Sequence, residues 1–285
     1  MHVDLRKYDA VHEIERASEG LGVKLDRSTE VSKRRSIGAR TDRGTWVRIE
    51  VRSVVKAAAQ GQVANGMEAA GVLNGIAKPK WYASVSWIDN IAGEAVTWRA
   101  DEVELVMEAP VRSRGSLLEA PDLSADWWAT FNTSLDNLMA QHTTRVATPD
   151  TEPISQELVT HAIEQAFPGQ VNTTMTDLPW APAHADLNWA NVTAPECWIL
   201  DWEDHGMAPR GLDSATLWVT SLAVPALAER VRAERRKDLD TRTGQLMALF
   251  HCSKILNDSS AKESPIYQPV AREAAQMVTA LQGQR

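Results

Sequence analysis

The segment His184-Ala185-Asp186-Leu187-Asn188-Trp189-Ala190-Asn191 has the form H-x-D-x-x-x-x-N, and Cys197-Trp198-Ile199-Leu200-Asp201-Trp202-Glu203 follows it as an apolar stretch closing in D-x-E. Asn191-Val192-Thr193 and Cys197 to Leu200 read as two short strands, with Ala194-Pro195-Glu196 as the turn, because proline presets φ and cannot donate to a central ladder. Such a hairpin carries Asp186 and Asn191 at its entrance and Asp201 and Glu203 at its exit. Carboxylates and an amide oxygen gathered at one mouth suit a hard cation such as Mg²⁺. They also suit phosphoryl transfer, in which a carboxylate positions an acceptor hydroxyl and takes its proton while oxygen ligands hold the metal of a nucleoside triphosphate.

Joined at this distance, the two halves resemble the aminoglycoside phosphotransferase and choline kinase family of small-molecule kinases, which shows H-G-D-x-x-x-x-N and then an apolar strand closing in I-D-W/F-E/G. Ala185 stands where that family has glycine, and Leu200 precedes Asp201. The resemblance implies an α+β, protein-kinase-like fold of two lobes, the first small and mainly antiparallel β, the second larger and helical. It implies ATP (or GTP) and Mg²⁺ as nucleotide and metal, and transfer of the γ-phosphate to a hydroxyl of a small molecule, with an aminoglycoside or other hydroxylated antibiotic as the expected acceptor. By the same resemblance Asp186 is the catalytic residue, Asn191 and Asp201 hold Mg²⁺ with Glu203 as a further ligand, and His184 and Asp213 brace the loop. Asp213 also reads as a helix N-cap. On the acceptor side, Asp204 is three residues beyond Asp201 and would face an amine, with Trp189 and Trp202 as apolar walls. A catalytically inactive nucleotide or ligand binder on the same fold, a kinase of a primary metabolite such as choline, homoserine or a sugar, and a metal-dependent hydrolase built on the same acids are the alternatives.

The elements that must position these residues are legible in outline. A chain of 285 residues is long for one core and suits two lobes, here residues 1–110 and 111–285. Residues 1–110 balance 16 Lys and Arg with 16 Asp and Glu, whereas residues 111–285 hold 14 against 22, so the whole net charge of −8 falls in the second part. An acidic second half argues against a nucleic-acid partner. The two cysteines show no paired or metal-ligand spacing, no apolar run reaches 18 residues, and the start lacks a signal-like apolar core. These features lead us to expect a cytoplasmic chain with no membrane segment.

Tyr8 to Gly20 has the spacing of a short helix, followed by extended chain to Val31, a basic turn Ser32-Lys33-Arg34-Arg35-Ser36, a strand from Ile37 and a turn at Thr41-Asp42-Arg43-Gly44. From Thr45 to Arg52 the pattern alternates, Val47, Ile49 and Val51 against Trp46, Arg48, Glu50 and Arg52. Two departures from the kinase pattern arise here. The Ser32–Ser36 turn lies where a phosphate-covering loop belongs but has no G-x-G-x-x-G, so Ser32 and Ser36 with backbone N–H groups would cap the phosphates. The strand also has no lysine; Arg48 is the favoured substitute, with Arg52 and Lys56 as the other candidates. Glu68 is the local acid that would hold this cation. Pro79 to Trp87, Ala95 to Ala100 and Glu102 to Met107 read as further strands. In the second half, helices are expected at Ala125 to His142, Thr151 to Ala166, Leu212 to Ala228, Arg230 to Leu249 and Ala271 to Leu281. Glu229 to Arg242 is a charge run that reads as a solvated face.

Overall fold

The computed structural model of the chain describes residues 4–59, 65–113, 115–149 and 152–283. The chain divides into two compact units, Met1–Leu73 with Lys78–Met107, and Asn74–Ala77 with Glu108–Arg285.

In the first unit, helix α1 (Val11–Leu21) buries Ile14, Ala17 and Leu21, which recur on one face, and ends at Gly22, whose left-handed φ of 65° lets its N–H return to Glu19. Strands β1 (Leu25–Ser32), β2 (Ser36–Thr41) and β3 (Thr45–Ser53) form a meander. After α2 (Val54–Ala59) and α3 (Gly66–Ala70), strands β4 (Trp81–Ile91) and β5 (Glu94–Glu104) complete a five-stranded antiparallel sheet of order β1-β2-β3-β5-β4. The alternation in β3 has its expected consequence. Val47, Ile49 and Val51 enter the core with Ile14, Ala17, Trp98 and Ala100, so Arg48, Glu50 and Arg52 take the opposite face. A Cβ on Gly38 would meet the Trp46 ring at 2.2 Å, so β2 needs glycine at that point.

One strand expectation is corrected. Ala95 to Ala100 and Glu102 to Met107 are not separate strands, because β5 runs unbroken through Asp101 and Glu102. Both acids are buried in the ladder with partners supplied by tertiary contacts. Asp101 accepts from Arg99 Nε and Nη2, each at 2.8 Å, and from Trp81 Nε1 at 3.0 Å; Glu102 accepts from Thr45 Oγ1 at 2.6 Å.

The second unit begins with β6 (Ala109–Pro110), which pairs with β8 (Thr193–Ala194), and includes α4 (Ala125–Ala140), α5 (Gln156–Ala166), and β7 (Trp180–Ala183) paired with β9 (Gly206–Pro209). Helices α6 (Leu212–Ser221), α7 (Pro225–Glu234), α8 (Arg236–Leu239), α9 (Arg242–Asn257) and α10 (Tyr267–Gln282) follow. Helix α9 packs against α5, α6 and α10 and buries Leu246, Met247, Leu249, Phe250 and Cys252 at the centre of this unit. The helix expected over Leu212 to Ala228 is two helices, since Pro225 opens α7 at its first turn, where its missing N–H has no intrahelical role. The charge run at Glu229 to Arg242 is not a solvated face throughout: the Arg235 and Asp238 side chains are 1% and 0% exposed and pair with each other. Among the described residues no helix is long and apolar enough to cross a membrane. Cys197 and Cys252 are buried free thiols, and burial pushes the Cys197 thiol up to about 12.

Candidate active site

The loop from His184 to Asn191 follows β7, and the first turn of α6 fixes its start. Asp213 accepts the backbone N–H of His184 at 2.7 Å and of Ala185 at 2.9 Å. Burial pushes the Asp213 carboxyl above its ordinary value, while these two donors pull the other way. His184 is fully buried. Its Nε2 lies 2.7 Å from the Leu200 carbonyl, which can only accept, so the ring proton sits on Nε2 and Nδ1 receives the Asp186 N–H at 3.3 Å. One imidazole thus joins the loop to the chain just before Asp201.

Ala185 has φ 75°, a left-handed backbone that L-residues adopt at a cost. Ala185 is also buried, so Ala185→Gly should leave stability within about 1 kcal/mol, relief of backbone strain offsetting the lost methyl and the added chain entropy. Ala185→Val should cost about 2 kcal/mol or more, because a β-branched side chain is poorly accommodated there. Urea unfolding of both variants measures the contrast; equal costs would contradict this account of the turn.

Asp186 is held from both sides. Asn188 Nδ2 donates to its Oδ1 at 2.9 Å, and Asn191 Nδ2 to its Oδ2 at 2.9 Å and its backbone carbonyl at 2.7 Å. Burial pushes the Asp186 carboxyl up, the nearby Asp201 charge adds to this, and the two amides oppose it. Since Nδ2 of Asn191 serves Asp186, its Oδ1 is turned to the other side of the amide. Leu200 N–H donates to Asn191 O at 2.8 Å, which brings Asn191 beside Asp201; Asp201 itself takes a left-handed conformation, φ 65°. The expected hairpin is short: beside the bridge Val192↔Ile199, Thr193 N–H donates to Trp198 O at 3.1 Å, while Thr193 and Ala194 also pair with β6. Glu203 lies on the 3₁₀ turn Trp202–Asp204, and Arg145 fastens that turn by donating to the carbonyls of Glu203 and His205, each at 3.1 Å.

The acceptor-side expectations are overturned. Asp204 is buried and accepts Thr148 Oγ1 at 2.6 Å, so it fastens the 147–148 segment and does not face an amine. Trp189 is fully buried against Trp127 and Trp128, with Nε1 donating to Ser221 Oγ at 2.8 Å. Trp202 is buried edge-on against His184, 4.8 Å between centroids, and donates to Ile199 O. Both indoles are core that stiffens the loop, because large apolar rings next to a loop gain most by burial.

In the sheet unit, Arg48 pairs with Glu50 at 3.1 Å. Glu50 also pairs with Arg52, as expected for residues sharing one strand face. Glu68 does not hold Arg48 but bonds Arg99 Nη2 at 3.1 Å. The reason is placement: α3 packs on β4, whose neighbour β5 carries Arg99, whereas β3 lies one strand further. Ser32, at the end of β1, and Ser36, at the start of β2, flank the exposed basic turn: Ser36 is buried opposite Glu50 and its carbonyl accepts Lys33 N–H at 2.8 Å, and the exposed Ser32 has its hydroxyl 3.2 Å from Glu30. Lys56 belongs to α2, and its side chain lies outside the described residues.

Sequence reasoning overlooked Asn188, Arg99, Arg145 and Arg112. Asn188 sits inside the motif and was detectable as a second amide beside Asp186. Arg112, 76 positions earlier in the chain, donates Nη2 to Asn188 Oδ1 at 2.9 Å, and no local pattern marks it.

No protein-family model matches the chain, and no curated protein matches it. Solved structures do. The chain is similar to choline kinase LicA from Streptococcus pneumoniae, with a TM-score of 0.54 at 14% identity over 94% of this chain and 99% of that one. It is also similar to the amicoumacin kinase hAmiN in complex with AMP-PNP, Ca²⁺ and Ami, with a TM-score of 0.51 at 12% identity over 96% of this chain and 95% of that one. The antiparallel sheet followed by a mainly helical region is the protein-kinase-like fold, shared with these structures.

Proposed function

We propose that the chain is a small-molecule kinase that uses ATP, or GTP, to phosphorylate a hydroxyl. The observation that carries this reading is the carboxylate of Asp186, held at both oxygens by amides and standing beside Asp201 at a strained, tightly braced loop. In the reaction, the acceptor O–H gives its proton to Asp186 and its oxygen forms the new bond to the γ-phosphorus. The bond from that phosphorus to the β–γ bridging oxygen breaks, and the nucleoside diphosphate leaves. Raising of the Asp186 carboxyl by burial favours proton uptake, and the two amides fix its direction.

Asn191 and Asp201 fit a hard cation: one offers an amide oxygen whose amide nitrogen is already committed to Asp186, the other a carboxylate. Among the described residues no three His, Cys, Asp or Glu gather as a cage, which suits Mg²⁺, bound through one or two protein oxygens together with substrate phosphates. Such an ion would offset phosphate charge when bound. Glu203, two residues on, is the candidate further ligand, directly or through water.

The acceptor is a small hydroxylated molecule, and hydroxylated antibiotics are the class to screen first. With Asp204 spent on Thr148, a polycationic aminoglycoside has no obvious acid to meet at that point. A second reading, a binder without turnover, is favoured by the ion pairs that engage Arg48, Arg52 and Arg99 within the sheet unit. ADP release over a panel of hydroxylated antibiotics, amino alcohols and sugars, with Mg²⁺ and ATP, separates the two. We expect at least one acceptor to release ADP with a matching phosphorylated product. Thermal stabilisation by Mg²⁺ and ATP without any product would establish the binder, and phosphorylation of peptides alone would refute the small-molecule reading.

A further inference from the structure

We propose that Arg112 binds the terminal phosphate of the nucleotide, an assignment that rests on the kinase reading above. Arg112 is joined to the catalytic loop at two points. Its backbone N–H donates to Trp189 O at 2.9 Å, and its Nη2 donates to Asn188 Oδ1 at 2.9 Å. Nη1 reaches the Gly115 carbonyl at 2.6 Å. Asn188 in turn donates to Asp186 Oδ1, so one side-chain amide separates the guanidinium from the carboxylate that receives the acceptor's proton.

The state of this guanidinium points to an anion. A guanidinium carries five N–H donors, and these contacts use two of them. Nε is buried with no hydrogen-bond partner, and among the described residues no carboxylate lies within ion-pair distance of Arg112. Arg48, Arg52, Arg99 and Arg235 differ in that each is paired with an acid. Burial pulls the Arg112 pKa down and the Asp186 charge pulls it back. A half-buried cation without a counterion is costly, and its position beside Asp186 is where the transferred phosphoryl group must meet the acceptor. That group is a polyanion entering a loop that already carries Asp186 and Asp201, and the planar fork of a guanidinium matches its oxygens. The neutral anchors, an amide oxygen and a carbonyl, orient the fork without spending its charge.

The test compares the binding of MgADP and of Mg²⁺ with AMP-PNP, which carries the third phosphate but is not turned over, by calorimetry on the full chain and on Arg112→Ala. We expect the variant to lose about tenfold or more in affinity for AMP-PNP, because charge-assisted bonds are lost, and to change for ADP by no more than about twofold. Arg112→Lys should keep part of the AMP-PNP affinity as a point charge, and it serves also if the alanine variant folds poorly. Equal losses for both nucleotides would make Arg112 a structural prop of the loop, and unchanged AMP-PNP affinity would overturn the assignment outright. If the unaltered chain binds neither nucleotide, the kinase reading fails and this assignment with it; if it binds both and Arg112→Ala keeps its preference, only the assignment fails.

Discussion

Asp186→Asn should lower turnover about a hundredfold or more, since the base acts on a proton that moves in the transition state. Affinity for the nucleotide should stay within about threefold, because the proposed cation ligands are Asn191 and Asp201, which the change leaves in place. Some stability is lost as well. The new amide must turn an NH₂ toward one of the two donors, Asn188 Nδ2 or Asn191 Nδ2, that the carboxylate now satisfies. That mismatch costs about 1–3 kcal/mol, so activity must be measured well below the variant's unfolding transition. Steady-state turnover with an accepted substrate and calorimetry with AMP-PNP are the two measurements. Parallel losses in both would show that Asp186 shapes the nucleotide site and is not the base.

The second large effect concerns stability. Asp238→Ala should destabilise the helical unit by about 3 kcal/mol or more, because the Nη2 edge of the buried Arg235 guanidinium then loses its carboxylate where water cannot replace it. Arg235 donates to Asp238 Oδ2 from Nε at 3.2 Å and from Nη2 at 2.5 Å, and Ser214 Oγ donates to the same oxygen at 2.9 Å. Its other acidic partner, Asp136 at 3.0 Å, has a side chain 41% exposed. Asp136→Ala should therefore cost less than about 1 kcal/mol, as for partners that water can replace. Urea unfolding of the two variants gives the comparison. Similar small costs for both would mean that the Arg235 network contributes no net stability. Because Ser214 lies on α6 one residue after Asp213, the Asp238 variant should also loosen the loop from His184 to Asn191, seen as faster amide exchange at His184 and Ala185.

The features legible along the chain are those written in short-range spacing. The alternation of β3 decided which face of that strand enters the core, because neighbouring side chains on a strand point oppositely. The spacing from His184 to Asn191 and on to Asp201 and Glu203 marked the loop, since a tight turn and a short return of chain bring those residues together wherever the rest folds. The break at Pro225 carried a signal of the same short range, yet the helix expected over Leu212 to Ala228 ran through it. The fold class followed from the same motif through its resemblance to small-molecule kinases, and the solved structures similar to this chain have that fold.

Which charges are spent and which are not depends on contacts between segments distant in the chain. Glu68 pairs with Arg99, 31 positions away, and not with Arg48, because α3 settles on β4. Asp204, Trp189 and Trp202 look like acceptor contacts by proximity in the chain, yet burial behind the loop commits them to Thr148, Ser221 and Ile199. Arg235 and Asp238 sit in a run that reads as solvated, and their burial depends on helices that contribute Ser214 and Asp136 from elsewhere. Arg112 reaches Asn188 across 76 positions. In each case the deciding quantity is the access of water to a polar group, which is set by segments remote in the chain, whereas residue spacing controls only which neighbours share a face or a turn.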